Sequence, residues 1–268
     1  MIINRMKAIA PRAAALCAVA AISVAAHADV KVISRVQMAM MGRAPEPQKV
    51  TIYYKGPMIR TDVGTTISIV NSKTHQMTML NPQAKTYTVV DRQLPAEVTK
   101  KMKVSATAKV TPTNEQKQIA GKPARRYKMD ATLDMTSAEM QNAKVHMKIN
   151  MDQWTTTATK STITPGQLTG ALDQMLRNFG NLSSLKQLTS EMNKIKGLPL
   201  SSVVKMDMTI MMPGGQTQNM SMNMINDVLQ LTEAPLPASL FAIPAGYKKT
   251  EKPVRPTMGR RPGGMGGR

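Results

Sequence analysis

Val204–Ile225 reads VKMDMTIMMPGGQTQNMSMNMI, and its alternation decides the fold. Val204, Met206, Met208, Ile210 and Met212 share one parity, with Lys205, Asp207 and Thr209 on the other. After Pro213-Gly214-Gly215, Met220, Met222 and Met224 alternate with Asn219, Ser221 and Asn223. Period two places each set on one face of a strand, so the stretch predicts a hairpin with a methionine face and a polar face. A helix would have needed the apolar residues three and four apart.

Working outward, the same period recurs. VTIYY (50–54), MIRTD (58–62), TTISIV (65–70), HQMTML (75–80) and KTYTVV (85–90) are short β-prone runs separated by Gly, Asn and Pro turn signals. Two longer strands flank Ala120-Gly121-Lys122-Pro123. The second alternates at Tyr127, Met129, Ala131, Leu133 and Met135. Val145, Met147, Ile149 and Met151 alternate with His146, Lys148, Asn150 and Asp152. Each pattern predicts one buried and one wet face.

The period changes in two places. Residues 94–102 suggest a short helix. Thr164-Pro165-Gly166-Gln167 supplies an N-cap, a first-turn proline and a capping glutamine, and Leu168, Leu172, Met175, Leu176 and Phe179 follow at helical spacing. Leu185, Leu188, Met192 and Ile195 resume it until Gly197. The expectation is a mainly β chain, a β domain over 29–249 with a helical insert at about 165–197.

The ends differ from this body. Arg5, Lys7 and Arg12 precede an alanine-rich run, and Ala26-His27-Ala28 fits a signal-peptidase site, so residues 1–28 read as a cleaved signal and Asp29 as the mature start. The lone cysteine, Cys17, lies inside that signal behind Leu16, which does not suit lipid attachment. The expected location is the periplasm without a lipid anchor, where a mature chain lacking cysteine has neither disulfide nor thiolate metal site. Residues 250–268, dense in Gly, Pro and Arg, read as a disordered basic tail. With a net charge of +20, an exported chain is expected to meet anionic membrane surfaces and no nucleic acid.

No catalytic constellation is legible. His75 and His146 stand on expected strands without a companion motif, and neither zinc spacing nor a phosphate loop occurs. The expectation is a non-enzymatic protein with no cofactor. Methionine, at 25 residues against 3% aromatic, is the outlying signal. Three readings stay open: methionine replacing leucine in an ordinary core, a soft apolar groove for acyl chains or a lipidated protein, and a copper(I) site. Methionine repacks around flexible apolar groups, whereas copper(I) selects soft thioethers. The groove reading names Met129, Met147, Met206, Met208, Met220, Met222, Met224, Leu172 and Met175. The copper reading names Met206, Met208, Met220 and Met222.

IYYKGPMIRTD (52–62), ISIVNSKTHQMTMLNPQAKTYTVV (67–90), IAGKPARRYKMD (119–130), Trp154 and LPASLFAIPAGYKK (236–249), in this order, resemble an exported bacterial family of unknown function, of DUF4412 type. More distantly they are similar to the lipoprotein carriers LolA and LolB and the sensor RseB. The resemblance implies a curved antiparallel half-barrel with helices over its concave face, a surface that in the carriers receives lipoprotein acyl chains. An envelope structural or sensor domain that binds a protein partner is the remaining alternative.

Overall fold

The computed structural model describes residues 29–91, 102–137, 143–159 and 185–251. Twelve strands form one sheet: β1 (Val30–Met40), β2 (Gln48–Lys55), β3 (Met58–Val63), β4 (Thr66–Asn71), β5 (Gln76–Asn81), β6 (Thr86–Asp91), β7 (Met102–Ile119), β8 (Lys122–Ser137), β9 (Ala143–Thr156), β10 (Leu198–Met211), β11 (Thr217–Glu233) and β12 (Lys248–Lys249). Their spatial order is β12-β6-β5-β4-β3-β2-β1-β11-β10-β9-β8-β7. Every neighbouring pair is antiparallel except β12, which lies parallel to β6. The sheet is curved and open, with β7 and β12 at its edges.

Turn chemistry sets the strand boundaries. Asn71 Oδ1 accepts the N–H groups of Lys73 and Thr74, and Asn81 Oδ1 accepts those of Gln83 and Ala84. The two loops share this side-chain-mimicked turn, and each ends on a left-handed residue, His75 (φ 59°) and Lys85 (φ 50°). His75 therefore stands in a turn and not on the strand expected for it. Ala120 (φ 48°) and Gly121 (φ 72°) form the two-residue link of the long β7–β8 hairpin, where both φ values must be positive to match the strand twist. The methionine hairpin turns at Pro213-Gly214-Gly215 as expected, closed by Met212 N–H to Gln216 O at 2.8 Å. Met212 lies in that turn, outside the strand face assigned to it.

Two differences from expectation concern whole elements. A strand precedes the expected run at 50–54, because Val30–Met40 forms β1 in the middle of the sheet. Met102, expected in a short helix, opens β7; residues 92–101 lie outside the described residues. Of the helical insert, the described part is Leu185 onward: α1 (Lys186–Met192) and the turn to Gly197. The signal and most of the basic tail also fall outside the described residues.

Directly opposed residues in a ladder share a face, so the registers divide the sheet into two surfaces. On β7–β10 the buried surface carries Val110, Tyr127, Met129, Leu133, Met147, Ile149 and Met151, and α1 covers it with Leu185, Leu188, Met192 and Ile195. Helix α1 also guards the edge of the sheet. Glu191 Oε2 accepts the outward N–H of Val110 at 2.8 Å, and the Lys194 hydrogen bond, with this one, holds its carboxyl below the ordinary glutamate range. On β2–β6 the opposite surface is covered, by residues 234–250 returning along the chain. Leu236 N–H and Lys55 Nζ meet Asp29, and Arg60 donates to Leu240 O at 2.8 Å, above buried Ile69 and Leu80. A second cluster (Val30, Val32, Tyr54, Leu198, Leu200 and Val228) joins the halves.

Candidate functional site

Three rows of side chains cross six adjacent strands on the face that bears α1. From β1 to β7 one row reads Met38, Met224, Val204, Met151, Met129, Val110. The next reads Met40, Met222, Met206, Ile149, Ala131, Ala108. The third, starting at β11, reads Met220, Met208, Met147, Leu133, Ala106. Neighbouring strands are about 4.8 Å apart and successive rows two residues along the strand, so the methionines form a continuous thioether grid.

Burial falls across this grid. Met129 and Met147 are 1% and 4% exposed beneath α1. Met206, Met208, Met220, Met222 and Met224 are half-buried, and Met38 and Met40 rise to 41% and 48%. One face thus passes from closed core to accessible apolar surface without a polar interruption. The strands bring together seven of the eight expected methionines, whereas Leu172 and the eighth, Met175, lie outside the described residues. Met38 and Met40 were missed by the sequence reading. Their signal was the alternation Val30, Val32, Val36, Met38, Met40, but placing them beside Met222 and Met224 required the β1–β11 pairing.

The grid ends on a polar row. Beyond Val204 and Met151 the next positions are Ser202, opposite both Gln153 and Asn226. Gln153 and Ser202 are buried, as is Ser34 on β1. Neighbouring Thr155 is satisfied, donating to Lys196 O at 2.5 Å, and Thr156 Oγ1 accepts from Ala158 N–H. Among the described residues Gln153 Nε2 has no partner, nor has Ser34 Oγ, which lies opposite Val228 outside this row.

The reverse face of the same strands is polar and self-paired. Arg126 joins Asp152 at 2.9 Å and Glu115 at 2.7 Å and lies 5.7 Å from the Trp154 ring; Lys117 is 4.1 Å from that ring. The Arg126 hydrogen bond holds the Asp152 carboxyl below its ordinary range. His146 Nδ1 meets Asp134 at 2.7 Å. The hydroxyl opposite His146, on Thr209, donates to Asn219 at 3.0 Å, away from the imidazole, so this exposed pair assembles no nucleophile. An open depression of about 310 Å³ follows β10 and β11 near their turn, lined by Met41, Asp207, Thr209, Asn219 and Ser221 as well as Met208 and Met220. Among the described residues no group of three or more His, Cys, Asp or Glu side chains could hold a metal ion, and no helix is long and apolar enough to cross a membrane.

A family model described as a domain of unknown function, DUF4412, matches residues 35–247. No curated protein matches the chain. Among solved structures, the LolA superfamily protein NE2245 from Nitrosomonas europaea is similar at 8% identity, over 81% of this chain and 91% of that one, with a TM-score of 0.29.

Proposed function

The chain belongs to the DUF4412 family, and from that premise and its own surface we propose that it is a non-enzymatic periplasmic protein that holds an apolar group, an acyl chain of a lipid or lipidated protein, on the methionine grid. The carrying observation is the gradient of burial across Met129, Met147, Met206, Met222 and Met40 on one uninterrupted apolar face. A purely internal core has no need to extend as half-exposed thioethers over two further strands. An unbranched, polarizable side chain remoulds around a flexible guest at little cost in strain. Each methylene moved from water onto this surface contributes about 0.8 kcal/mol, so part of one chain supplies several kcal/mol toward binding. The basic tail, with Lys and Arg through residue 268, adds attraction to an anionic membrane surface that salt weakens.

Copper(I) remains the second reading, because Met40, Met222 and Met206 stand in one cross-strand row. Against it, every row continues into Val, Ile, Leu or Ala, and His146 is on the reverse face. One experiment separates the two. The mature chain purified from a bacterial periplasm is analysed by native mass spectrometry and by displacement of an apolar fluorescent probe, beside anaerobic Cu(I) competition. Co-purified lipid and probe displacement that Met222→Glu abolishes support the acyl reading. Stoichiometric Cu(I) binding without any probe displacement would overturn it.

A further inference from the structure

The strongest unexplained feature on the binding face is the polar row that closes the grid. Gln153 is 2% exposed, and its Nε2 donor has no acceptor among the described residues. A buried donor left without a partner is destabilising, so native proteins keep such groups rarely and usually for a reason. Ser202 is directly opposite on β10 and 8% exposed, and the row continues through Asn226 on β11 to Val36 on β1. From this row the three methionine rows run along the strands for about 20 Å, at two residues per row.

We infer that Gln153, with Ser202 beside it, receives the carbonyl oxygen of an acyl group whose hydrocarbon chain lies on the methionine grid. The chemistry of the row selects this guest. The unpartnered Gln153 Nε2 can only donate and the Ser202 hydroxyl can donate beside it, so the row calls for an acceptor. No charged side chain shares the row, so a free carboxylate would be buried without a counter-charge, at high desolvation cost. An ester or amide carbonyl is uncharged, accepts two hydrogen bonds and carries an alkyl chain. Its chain length would then be measured from a fixed point. The inference rests on the acyl-binding reading and assigns that site its polar end.

The test compares probes that differ by one oxygen. The mature chain is titrated with 1-decanoylglycerol, with its ether twin 1-O-decylglycerol, and with N-decanoylglycinamide. The carbonyl-bearing probes should bind about tenfold more tightly than the ether, the effect of one desolvated hydrogen bond. Gln153→Met, close in volume, should collapse that ratio to about one. It should also hold or raise the unfolding midpoint, because it removes an unpaired donor. Ser202→Ala should reduce the ratio by a smaller factor and serves if Gln153→Met misfolds. A stronger preference for the ester points to a glycerolipid and for the amide to an N-acylated polypeptide. Equal binding of ester, amide and ether by the unaltered chain overturns this inference and leaves the acyl-binding reading standing. If none of the three binds, both fall.

Discussion

Gly197 carries the sharpest structural prediction. It follows α1 and precedes β10, with φ +89°, and a Cβ built there would lie 2.2 Å from Thr156 O and 2.5 Å from the Thr156 carbonyl carbon. Gly214, in the methionine hairpin turn, has nearly the same φ, +94°, but nothing within 4 Å of its Cβ position. Alanine at either position costs about 1–2 kcal/mol for left-handed backbone. At 197 the backbone must also separate from Thr156 by about 1 Å to reach ordinary contact. That movement strains the Leu198–Thr156 pairing and the Thr155 hydroxyl bond to Lys196 O, each about 1 kcal/mol net and more where the buried threonines are left unpaired. Gly197→Ala should therefore lose about 3–5 kcal/mol, and Gly214→Ala about 1–2. Urea unfolding followed by the fluorescence of Trp154, the single tryptophan and two residues from Thr156, reads both. Equal losses in the two variants would refute the close approach as the reason for a glycine at 197.

Three other outcomes follow from the same packing. Met129→Ala, beneath α1, should cost about 3 kcal/mol in chemical denaturation and Met222→Ala, half-exposed on the grid, under about 1; similar costs would mean the grid is closed core throughout. Ala120→Asn should raise stability by about 1 kcal/mol, since asparagine tolerates the left-handed turn that alanine occupies at φ 48°; a lowered melting temperature would count against the strain. Burial pushes the Tyr54 hydroxyl well above the ordinary tyrosine range. Its neutral form contributes stability that is complete below about pH 10 and is lost as pH rises further. The 295 nm difference between the parent chain and Tyr54→Phe should thus appear only where native circular dichroism is lost. An earlier appearance sinks the assignment.

Strand identity and turn position were legible because both are local. Period two in 204–224 and 145–151 needed only neighbouring residues, and Asn71, Asn81 and Pro213-Gly214-Gly215 announce their turns through backbone preferences. The grid as a two-dimensional object was not legible. No local pattern states that residue 40 faces residue 222, because that pairing depends on β1 entering the centre of the sheet. The polar row was hidden for a similar reason. Gln153 looks like the end of an alternating run, and only its register with Ser202 shows the strand continuing, buried, to Thr156. His75 was misplaced because a left-handed turn residue carries no mark in a Thr-His-Gln sequence.

The central position of β1 also constrains the order of folding. Its ladder with β2 closes locally, but Val30 pairs with Glu233, at the far end of the domain. Loop-closure entropy must be met before that second ladder returns any energy, so a sheet of this topology folds slowly, on the millisecond-to-second scale. On one side the β2–β6 meander zips up hairpin by hairpin; on the other, β7–β9 and β10–β11 do so and then pair across β9 and β10. They remain separate until β11 reaches β1. The half-exposed side of the methionine grid, which spans that seam, is consequently the last surface to exist: a chain shortened before residue 217 would keep its meander and the methionines of β8–β10 but have nothing to join them to Met38 and Met40.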